Sequence, residues 1–247
     1  MKSFGLIGKN ISHSFSKKYF EHKFARDKIY HCDYNLFELE TIKDFPKLIE
    51  AQNFSGLNVT IPYKECVIPF LDELTAEAKS IGAVNCIEFA NNRLIGHNTD
   101  AYGFRKSLSS LLKSNKTKAL ILGDGGASKA VKYVLNDLNV KSIFVSRKHK
   151  AQSLLYKNLS ADAIASHKLI INTTPLGTYP NIDSLPSIPY DGITAEHILF
   201  DLVYNPAETA FLIKGKEMGC AIKSGLEMFE LQAEKSWTIW NPIPSKN

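Results

Sequence analysis

A short apolar run followed by closely spaced glycines lies near the middle of this sequence. Residues 119–122 are Ala-Leu-Ile-Leu, and the next six are Gly-Asp-Gly-Gly-Ala-Ser. This order favours a buried strand, a tight turn and the start of a helix. Gly123 permits the tight turn, while Gly125, Gly126 and the small Ala127 let the backbone approach a bound pyrophosphate. Glycine triplets are often only strand-to-helix turns, but this one heads a predicted β-α-β unit and therefore indicates a nucleotide site.

Basic residues follow the second predicted strand of that unit, residues 142–146. Ser146, Arg147 and Lys148 stand at its end, with Lys150 just beyond. A site for NAD usually has an acidic residue here, which binds the ribose 2′-hydroxyl. Cations suit a 2′-phosphate instead, and arginine can also stack on adenine. A basic turn that only faces water would look the same; after the glycine turn, the pattern favours NADP.

The rest of the chain alternates between strand and helix patterns, which predicts mainly parallel sheets covered by helices. Strands are predicted at residues 4–8, 30–37, 56–60, 83–89, 93–96, 119–122, 142–146, 169–172 and 198–202. Helices are predicted at residues 16–26, 39–52, 75–81, 128–138, 209–218 and 227–239, with Pro46 interrupting the second. The expected fold class is α/β: an N-terminal α/β substrate domain and a Rossmann-like, doubly wound dinucleotide-binding domain, joined near residues 99–112, with a cleft between them.

Composition excludes several classes of protein. The formal charge of +5 comes from dispersed lysines without a nucleic-acid-binding motif, so a nucleic-acid partner is not expected. No run of eighteen apolar residues and no signal-peptide pattern are present, which predicts a cytoplasmic protein without a membrane partner. The four cysteines are far apart and form no Cys-x-x-Cys pair. They are expected to be buried thiols in a reducing compartment, with no metal site.

The first hundred residues contain polar side chains in suggestive pairs. Ser14 and Ser16 follow the first strand, and in an extended segment both hydroxyls would point at one ligand, such as a carboxylate. A serine-rich turn with Ser16 as a helix N-cap is the plainer interpretation. Asn58 and Thr60 share a face of the third strand, and Lys64 follows it.

Further along, Asn85 stands in Gly-Ala-Val-Asn and Asp100 ends Gly-His-Asn-Thr-Asp. The ordered motifs SxS, GxNVTxPxK, GAVN, NTD and GxGGA resemble the shikimate dehydrogenase family. The resemblance continues through residues 172–177 (Asn-Thr-Thr-Pro-Leu-Gly), 201–204 (Asp-Leu-Val-Tyr) and 225–228 (Gly-Leu-Glu-Met) to Gln232, and so covers essentially the whole chain.

The resemblance implies an enzyme that reduces 3-dehydroshikimate to shikimate with NADPH. Residues 1–100 with 226–247 would bind substrate, and residues 101–225 would bind NADP. By similarity, Ser14 and Ser16 bind the substrate carboxylate, and Lys64 and Asp100 form the catalytic pair. The remaining substrate contacts it implies are Asn58, Thr60, Asn85, Tyr204 and Gln232. Leu202 and Gly225 match positions near the nicotinamide.

The chemistry of these residue types agrees with that reaction. Hydride addition to a carbonyl builds negative charge on oxygen, which needs a nearby proton donor or cation. Lys64 can donate to that oxygen, and Asp100 can orient the amine and a substrate hydroxyl. A solvated lysine and a helix-capping aspartate are the ordinary alternatives for these two residues.

Four departures from the family pattern are visible: Lys17 replaces a proline, Ser146 an asparagine, Lys148 a threonine and Thr178 a methionine. An NAD-preferring quinate/shikimate dehydrogenase and a non-catalytic ligand sensor of the same fold are the competing hypotheses. Both members of the catalytic pair are present and no DNA-binding segment is attached, which disfavours the sensor. The sequence leaves a monomer and a homodimer equally open.

Overall fold

The computed structural model describes residues 1–112, 117–148 and 153–242. The chain divides into two compact units, the first formed by Met1–Thr99 with Ala233–Asn247 and the second by Asp100–Gln232. Both are α/β units that contain one six-stranded sheet each.

The first unit has a mixed sheet. Its strands are β1 (Lys2–Gly8), β2 (Cys32–Glu38), β3 (Gly56–Val59), β4 (Glu73–Leu74), β5 (Cys86–Ala90) and β6 (Arg93–His97), in the order β2-β1-β3-β5-β6-β4. Strand β1 pairs in parallel with β2 and β3, and β4 pairs in parallel with β6. Strand β5 runs antiparallel to β3 and to β6, and it forms a hairpin with β6 around the positive-φ residues Asn91 and Asn92. The expected parallel pairing is therefore confirmed for three of the five strand pairs.

Helices α1 (Ser16–Arg26), α2 (Phe45–Ala51) and α3 (Ala76–Ile81) accompany this sheet. Helix α1 buries Phe20 and Phe24, which are four residues apart and so lie on one helical face. The predicted helix over residues 39–52 is interrupted, as Pro46 indicated: a short 3-10 helix covers Ile42–Asp44, and α2 begins at Phe45 with Pro46 in its first turn, where a missing N–H costs nothing. The prediction was wrong for residues 39–41, which are not helical. Thr75 caps α3 by accepting from the Ala78 N–H, and Gly82 ends it at φ 70°.

The second unit has an all-parallel sheet among the strands that the structure describes. These are β7 (Ala119–Leu122), β8 (Ser142–Ser146), β9 (Ser153–Leu155), β10 (Leu169–Asn172), β11 (Ile198–Asp201) and β12 (Ala221–Lys223). Their order is β12-β11-β10-β7-β8-β9. This is the doubly wound order: strands β8 and β9 are added on one side of β7, and strands β10 to β12 on the other. Strands β7 and β10 are buried at all four positions, as expected for strands covered by helices on both faces.

The second unit contains helices α5 (Gly126–Asp137), α6 (Ala161–Ser166) and α7 (Ala210–Glu217). The chain passes from one unit to the other inside two further helices, α4 (Thr99–Ser109) and α8 (Leu226–Trp240). Strands β4, β9 and β12 and helices α4 and α6 were not predicted from the sequence. No helix in the described ranges is long and apolar enough to cross a membrane.

The expectation that all four cysteines are buried was wrong. Only Cys86 is buried; Cys32 and Cys220 are half-buried, and Cys66 is exposed. All four are free thiols, as the sequence predicted.

Candidate active site

The glycine turn of the second unit joins β7 to α5. Gly123 has φ +111°, a conformation that favours glycine, and a Cβ there would lie 2.7 Å from the Thr173 hydroxyl oxygen. Gly125 is the N-cap of α5 in an extended conformation, so the helix begins at Gly126, two residues earlier than predicted. The turn thus delivers the first backbone N–H groups of α5, which have no partner inside the helix, to the carboxyl end of the sheet.

Space is available beside this turn. A Cβ added to Gly125 would meet nothing within 4 Å, in contrast to the crowding at Gly123. Unpaired amides at the N-terminus of a twelve-residue helix favour a negative group, and the open side of Gly125 lets that group approach the backbone. The residues present therefore fit the pyrophosphate of a dinucleotide.

The basic turn follows the neighbouring strand β8. Ser146 is buried, and its hydroxyl donates to the Lys148 carbonyl oxygen at 2.6 Å, which holds the turn from inside. Arg147 and Lys148 are exposed. Because Leu122 and Val145 are register partners on parallel strands, the glycine turn and Arg147 leave the sheet at the same edge. Lys150, the other predicted cation, lies outside the described residues.

A buried carboxylate lies at the end of β11, on the other side of β7 from Arg147. Asp201 is fully buried and accepts three hydrogen bonds: from the Asn172 amide at 2.9 Å, the Val203 N–H at 3.0 Å and the Thr209 hydroxyl at 2.6 Å. Burial raises the pKa of Asp201 to about 7, although these three hydrogen bonds act in the opposite direction. The titratable neighbour Tyr190 donates to the Pro186 carbonyl, and its own pKa is raised by burial and by the Asp201 charge.

Leu202, Tyr204 and Gly225 lie close together beyond this carboxylate. The Gly225 N–H donates to the Val203 carbonyl at 3.1 Å, and a Cβ at Gly225 would collide with the Leu202 carbonyl. The Tyr204 ring stacks on Phe229 of α8 with ring centres 4.5 Å apart. Desolvation raises the pKa of Tyr204 to about 12, so its hydroxyl is a proton donor at neutral pH.

In the first unit, the predicted serine pair does come together. The Ser14 hydroxyl donates to the Ser16 hydroxyl at 3.3 Å, and both side chains are half-buried. The geometric reason offered from the sequence was wrong: Phe15 is in the right-handed helical region, so the segment is not extended. Ser16 is also not the N-cap of α1, because Phe15 holds that position without a side-chain cap. The Ser16 N–H donates to the Ser14 hydroxyl instead.

The segment after β3 carries Thr60 and Lys64. The Tyr63 N–H donates to the Thr60 carbonyl at 2.9 Å, and the Lys64 carbonyl accepts from the Val84 N–H at 2.7 Å. Lys64 is half-buried. Since β1 and β3 are parallel, the serine pair and Lys64 leave this sheet at one edge.

Asn58 and Asn85 belong to a buried polar network. The Asn58 amide donates to the Asn85 carbonyl and to the Ser236 hydroxyl, each at 3.0 Å, and its oxygen accepts from Tyr34 at 2.9 Å. The Asn85 side chain accepts from the Thr99 N–H at 2.6 Å and donates to the Thr99 hydroxyl at 2.9 Å. Both amide hydrogens of Asn58 are therefore used inside the protein, which leaves it an acceptor lone pair for any ligand.

Asp100 follows Thr99 directly in the first turn of α4, where the helix dipole favours a negative charge. It is buried, with only 6% of its surface exposed. Gln232 is half-buried on α8, beside Gly103 of α4: a Cβ on Gly103 would lie 3.3 Å from the Gln232 Cβ.

Five further residues, to which the sequence gave no site role, are buried and hydrogen-bonded in these networks: Thr99, Asn172, Asp201, Thr209 and Ser236. Asn172 ends a predicted buried strand and Asp201 is the last residue but one of another, so their position was a usable signal. Ser236 gave no signal, because a serine on a helix has no distinguishing pattern. The described residues contain no group of three or more histidine, cysteine or acidic side chains that could hold a metal ion.

Comparison with known proteins gives consistent results. Residues 6–87 match the family model described as the shikimate dehydrogenase substrate binding domain. The shikimate dehydrogenase (NADP(+)) of Clostridium beijerinckii is 42% identical, and the match covers 100% of this chain and 94% of that protein. The crystal structure of shikimate dehydrogenase from Aquifex aeolicus is 33% identical, with a TM-score of 0.88 over 98% of this chain and 93% of that one. The Thermus thermophilus enzyme, solved in complex with NADP(H) and shikimate, is 27% identical with a TM-score of 0.87, covering 98% and 94% of the two chains.

A doubly wound parallel sheet with an open glycine turn, together with a second α/β unit that presents hydroxyls, an amine and amides, defines a dinucleotide-dependent oxidoreductase. The similarity extends over the full length of the chain. The chain belongs to the shikimate dehydrogenase family.

The open space beside Gly125 makes a prediction about ligand binding. In Gly125→Ala the new methyl group touches no protein atom, so the free energy of unfolding should stay within about 0.5 kcal/mol of the wild-type value. The methyl group occupies the approach to the backbone, so NADP⁺ should bind at least about tenfold more weakly, a loss of about 1.4 kcal/mol. Urea unfolding and calorimetric titration measure the two quantities. Gly123→Ala is the contrast: its backbone strain should cost about 1–3 kcal/mol of stability. Unchanged NADP⁺ affinity in Gly125→Ala would contradict the assignment.

The raised pKa of Asp201 makes a prediction about pH. In the unfolded chain this group ionises near its ordinary pKa of 3.8, and in the folded chain near 7. Its stabilising contribution is therefore full below about pH 4 and is lost as the pH rises through about 7. Asp201→Asn should remove that loss, on the order of 2–4 kcal/mol. The measurement is the free energy of unfolding at pH 4.5 and pH 8. The exposed Asp162→Asn should behave as wild type, and parallel curves for Asp201→Asn and wild type would exclude the shifted ionisation.

Proposed function

We propose that this chain is an NADP-dependent shikimate dehydrogenase, which catalyses the reversible reduction of 3-dehydroshikimate to shikimate. The observation that carries the proposal is the full-length similarity to the Clostridium beijerinckii shikimate dehydrogenase (NADP(+)). The glycine turn of the second unit supports it, because that turn has the space and the unpaired amides that a pyrophosphate needs.

The two parts of the chain take different ligands in this proposal. Residues 1–100 with 226–247 bind the substrate, and residues 101–225 bind the dinucleotide. The division of roles is supported by the match of residues 6–87 to a substrate-binding domain and by the doubly wound strand order of the second unit.

The substrate carboxylate binds to the serine pair. The hydroxyls of Ser14 and Ser16 are half-buried and 3.3 Å apart, so two donors can face the two oxygens of one carboxylate. The ring hydroxyls bind to five polar side chains. These are Asn58, Thr60, Asn85, Tyr204 and Gln232.

The catalytic pair consists of Lys64 and Asp100. Reduction of the ring ketone forms one C–H bond and one O–H bond. NADPH, when bound, supplies the hydride. Lys64 donates the proton to the ketone oxygen, and its positive charge stabilises the negative charge that develops there. Asp100 orients the lysine amine and the adjacent substrate hydroxyl.

The dinucleotide is held at three places on the second sheet. Gly123, Gly125, Gly126 and Ala127 bind the pyrophosphate through the turn and the start of α5. Ser146 shapes the basic turn, from which Arg147 and Lys148 bind the 2′-phosphate. Leu202 and Gly225 contact the nicotinamide end.

We also propose a cytoplasmic location for the enzyme, because four free thiols suit a reducing compartment. A monomer and a homodimer are both compatible with the proposed reaction, which needs residues of one chain only.

Lys64 provides the sharpest test of the mechanism. Lys64→Ala should lower kcat by roughly 10²–10⁴, the range for loss of a positioned acid–base group, with a much smaller change in KM. Lys64→Arg should also be slow, since a guanidinium keeps the charge but does not release a proton at neutral pH. Lys47→Ala, an exposed lysine of α2, is the matched control and should turn over as wild type. Near-normal turnover in Lys64→Ala would refute the assignment.

Cofactor choice tests the identity of the enzyme. Purified protein should reduce NADP⁺ when shikimate is added, with much lower kcat/KM for NAD⁺ or for quinate. Arg147→Ala should cost about 1.5–3 kcal/mol of NADP⁺ binding, the range for a charged hydrogen bond, and should barely affect NAD⁺. The absorbance of the reduced cofactor reports all four combinations of substrate and cofactor.

Equal use of NAD⁺ and NADP⁺ by the wild type would instead favour a quinate/shikimate dehydrogenase that prefers NAD. Binding of shikimate without turnover of either cofactor would favour a ligand sensor.

A further inference from the structure

Three segments of the second unit meet at one buried carboxylate. The Asp201 hub consists of Asp201 at the end of β11 and its three donors: the Asn172 amide at the end of β10, the Val203 N–H and the Thr209 hydroxyl. Asp201, Asn172 and Thr209 have no exposed surface. Three donors directed at two oxygens in a dry site form a strong and geometrically restrictive set of hydrogen bonds.

Hydrogen bonds from Asn172, a member of the hub, restrain the backbone that follows β10. The Asn172 side-chain oxygen accepts from the Thr174 N–H at 3.0 Å and from the Thr174 hydroxyl at 2.6 Å. Its amide also donates to the Leu176 carbonyl at 3.3 Å. The path of residues 173–176 therefore depends on the orientation of the Asn172 side chain. Asp201 fixes that orientation, because it accepts a hydrogen bond from the Asn172 side-chain nitrogen.

The hub controls the backbone that follows β11 as well. The Leu202 N–H donates to the Asn172 carbonyl at 2.9 Å, and the Val203 carbonyl accepts from Gly225 at 3.1 Å. Thr209 caps α7 by accepting from the Leu212 N–H. Residues 202–209 are thus bound at both ends, once at Val203 and once at Thr209.

These segments occupy a defined place relative to the glycine turn. Strand β7 lies between β8 and β10, and the turn after β7 fits a pyrophosphate. Arg147 after β8 marks the side of the 2′-phosphate, so the other end of a dinucleotide extends over the ends of β10 and β11. Asp201 lies below that end, buried and out of contact with solvent.

We propose that Asp201 is a positioning residue that sets the geometry of the nicotinamide end of the dinucleotide through the segments after β10 and β11. The inference rests on the proposed function and deepens it. Asp201 does not touch the reacting atoms; it acts through Asn172 and Thr209. Its loss should therefore disturb hydride transfer and the nicotinamide end, while the adenosine end, which β8 and the glycine turn hold, should be unaffected.

Asparagine at this position is a selective control. The Asn amide oxygen can accept from Asn172 and Val203, and its NH₂ can donate to Thr209, whose hydroxyl can also accept. Asp201→Asn therefore preserves the hub, whereas Asp201→Ala leaves the Asn172 and Thr209 side chains without their partner. Thr209→Val preserves the volume but removes one donor to Asp201 and the cap of α7, and Thr209→Ser restores both.

The experiment compares two ligands and one rate. Binding of NADP⁺ and of adenosine 2′,5′-bisphosphate, which contains the adenosine end alone, is measured by calorimetry, and kcat is measured with shikimate. Asp201→Ala should bind NADP⁺ about tenfold more weakly, bind the bisphosphate as wild type does, and lose about 10²-fold in kcat, as expected for a small misplacement of reacting groups. Thr209→Val should show the same pattern to a smaller degree. Asp201→Asn and Thr209→Ser should recover most of kcat.

Three results would overturn the inference. Equal weakening of both ligands by Asp201→Ala or Thr209→Val would indicate general loss of structure. Wild-type kcat in both variants would show that the hub does not position the cofactor. A failure of Asp201→Asn to recover kcat beyond Asp201→Ala would show that the hydrogen bonds are not the cause. If wild-type protein binds NADP⁺ but does not oxidise shikimate, the proposed function fails, whereas the binding comparison still tests the hub. Asp162→Asn, an exposed aspartate of α6, is the control for loss of a carboxylate elsewhere.

Discussion

Strands β7 and β10 pair in parallel with Leu122 opposite Asn172, although a long stretch of chain separates them. Both the backbone N–H and the hydroxyl of Thr173 donate to the Leu122 carbonyl, at 3.0 and 2.7 Å. This pairing places the glycine turn beside the segment that Asn172 orients, at the point where the strand order reverses. Parallel strands bring their carboxyl ends to one edge, so the anion site and the Asp201 hub become neighbours there.

The first unit contains buried polar side chains, and hydrogen bonds inside the protein fix their orientation. Asn58 is bound on three sides, and the bond to Ser236 connects the last helix to the sheet. Thr99 is bound by Asn85 through its backbone and its hydroxyl. Buried polar groups are costly unless they are satisfied, and satisfied groups have few remaining orientations. The same hydrogen bonds that stabilise this unit therefore restrict the geometry of the residues proposed to meet the substrate.

Much of the fold could be predicted where burial makes the pattern simple. The strands at 119–122, 142–146 and 169–172 were predicted with their observed limits, because strands inside a parallel sheet are short apolar runs. Helix α1 was also predicted with its observed limits, from its aromatic spacing. Strands β9 and β12 have three residues each and only half-buried or exposed side chains, so they leave no such pattern. The antiparallel pairing of β5 with β6 is readable from the sequence, because a two-residue turn at Asn91 and Asn92 can join the strands only as a hairpin. The antiparallel pairing of β5 with β3 is not readable, because the alternation of side chains is the same in either direction.

The sequence by itself determined the residue types of the site: glycines where a backbone must approach a phosphate, cations after β8, two serines, one lysine and one aspartate in an order typical of one enzyme family. Tertiary structure alone decided how each group is used. It brought Ser14 and Ser16 within 3.3 Å through a turn where an extended segment was expected. It left the side of Gly125 open and closed the side of Gly123 with Thr173. It also enclosed Asp201 among three donors and removed it from water. Register, burial and desolvation depend on residues distant in the chain, and no local pattern contains them.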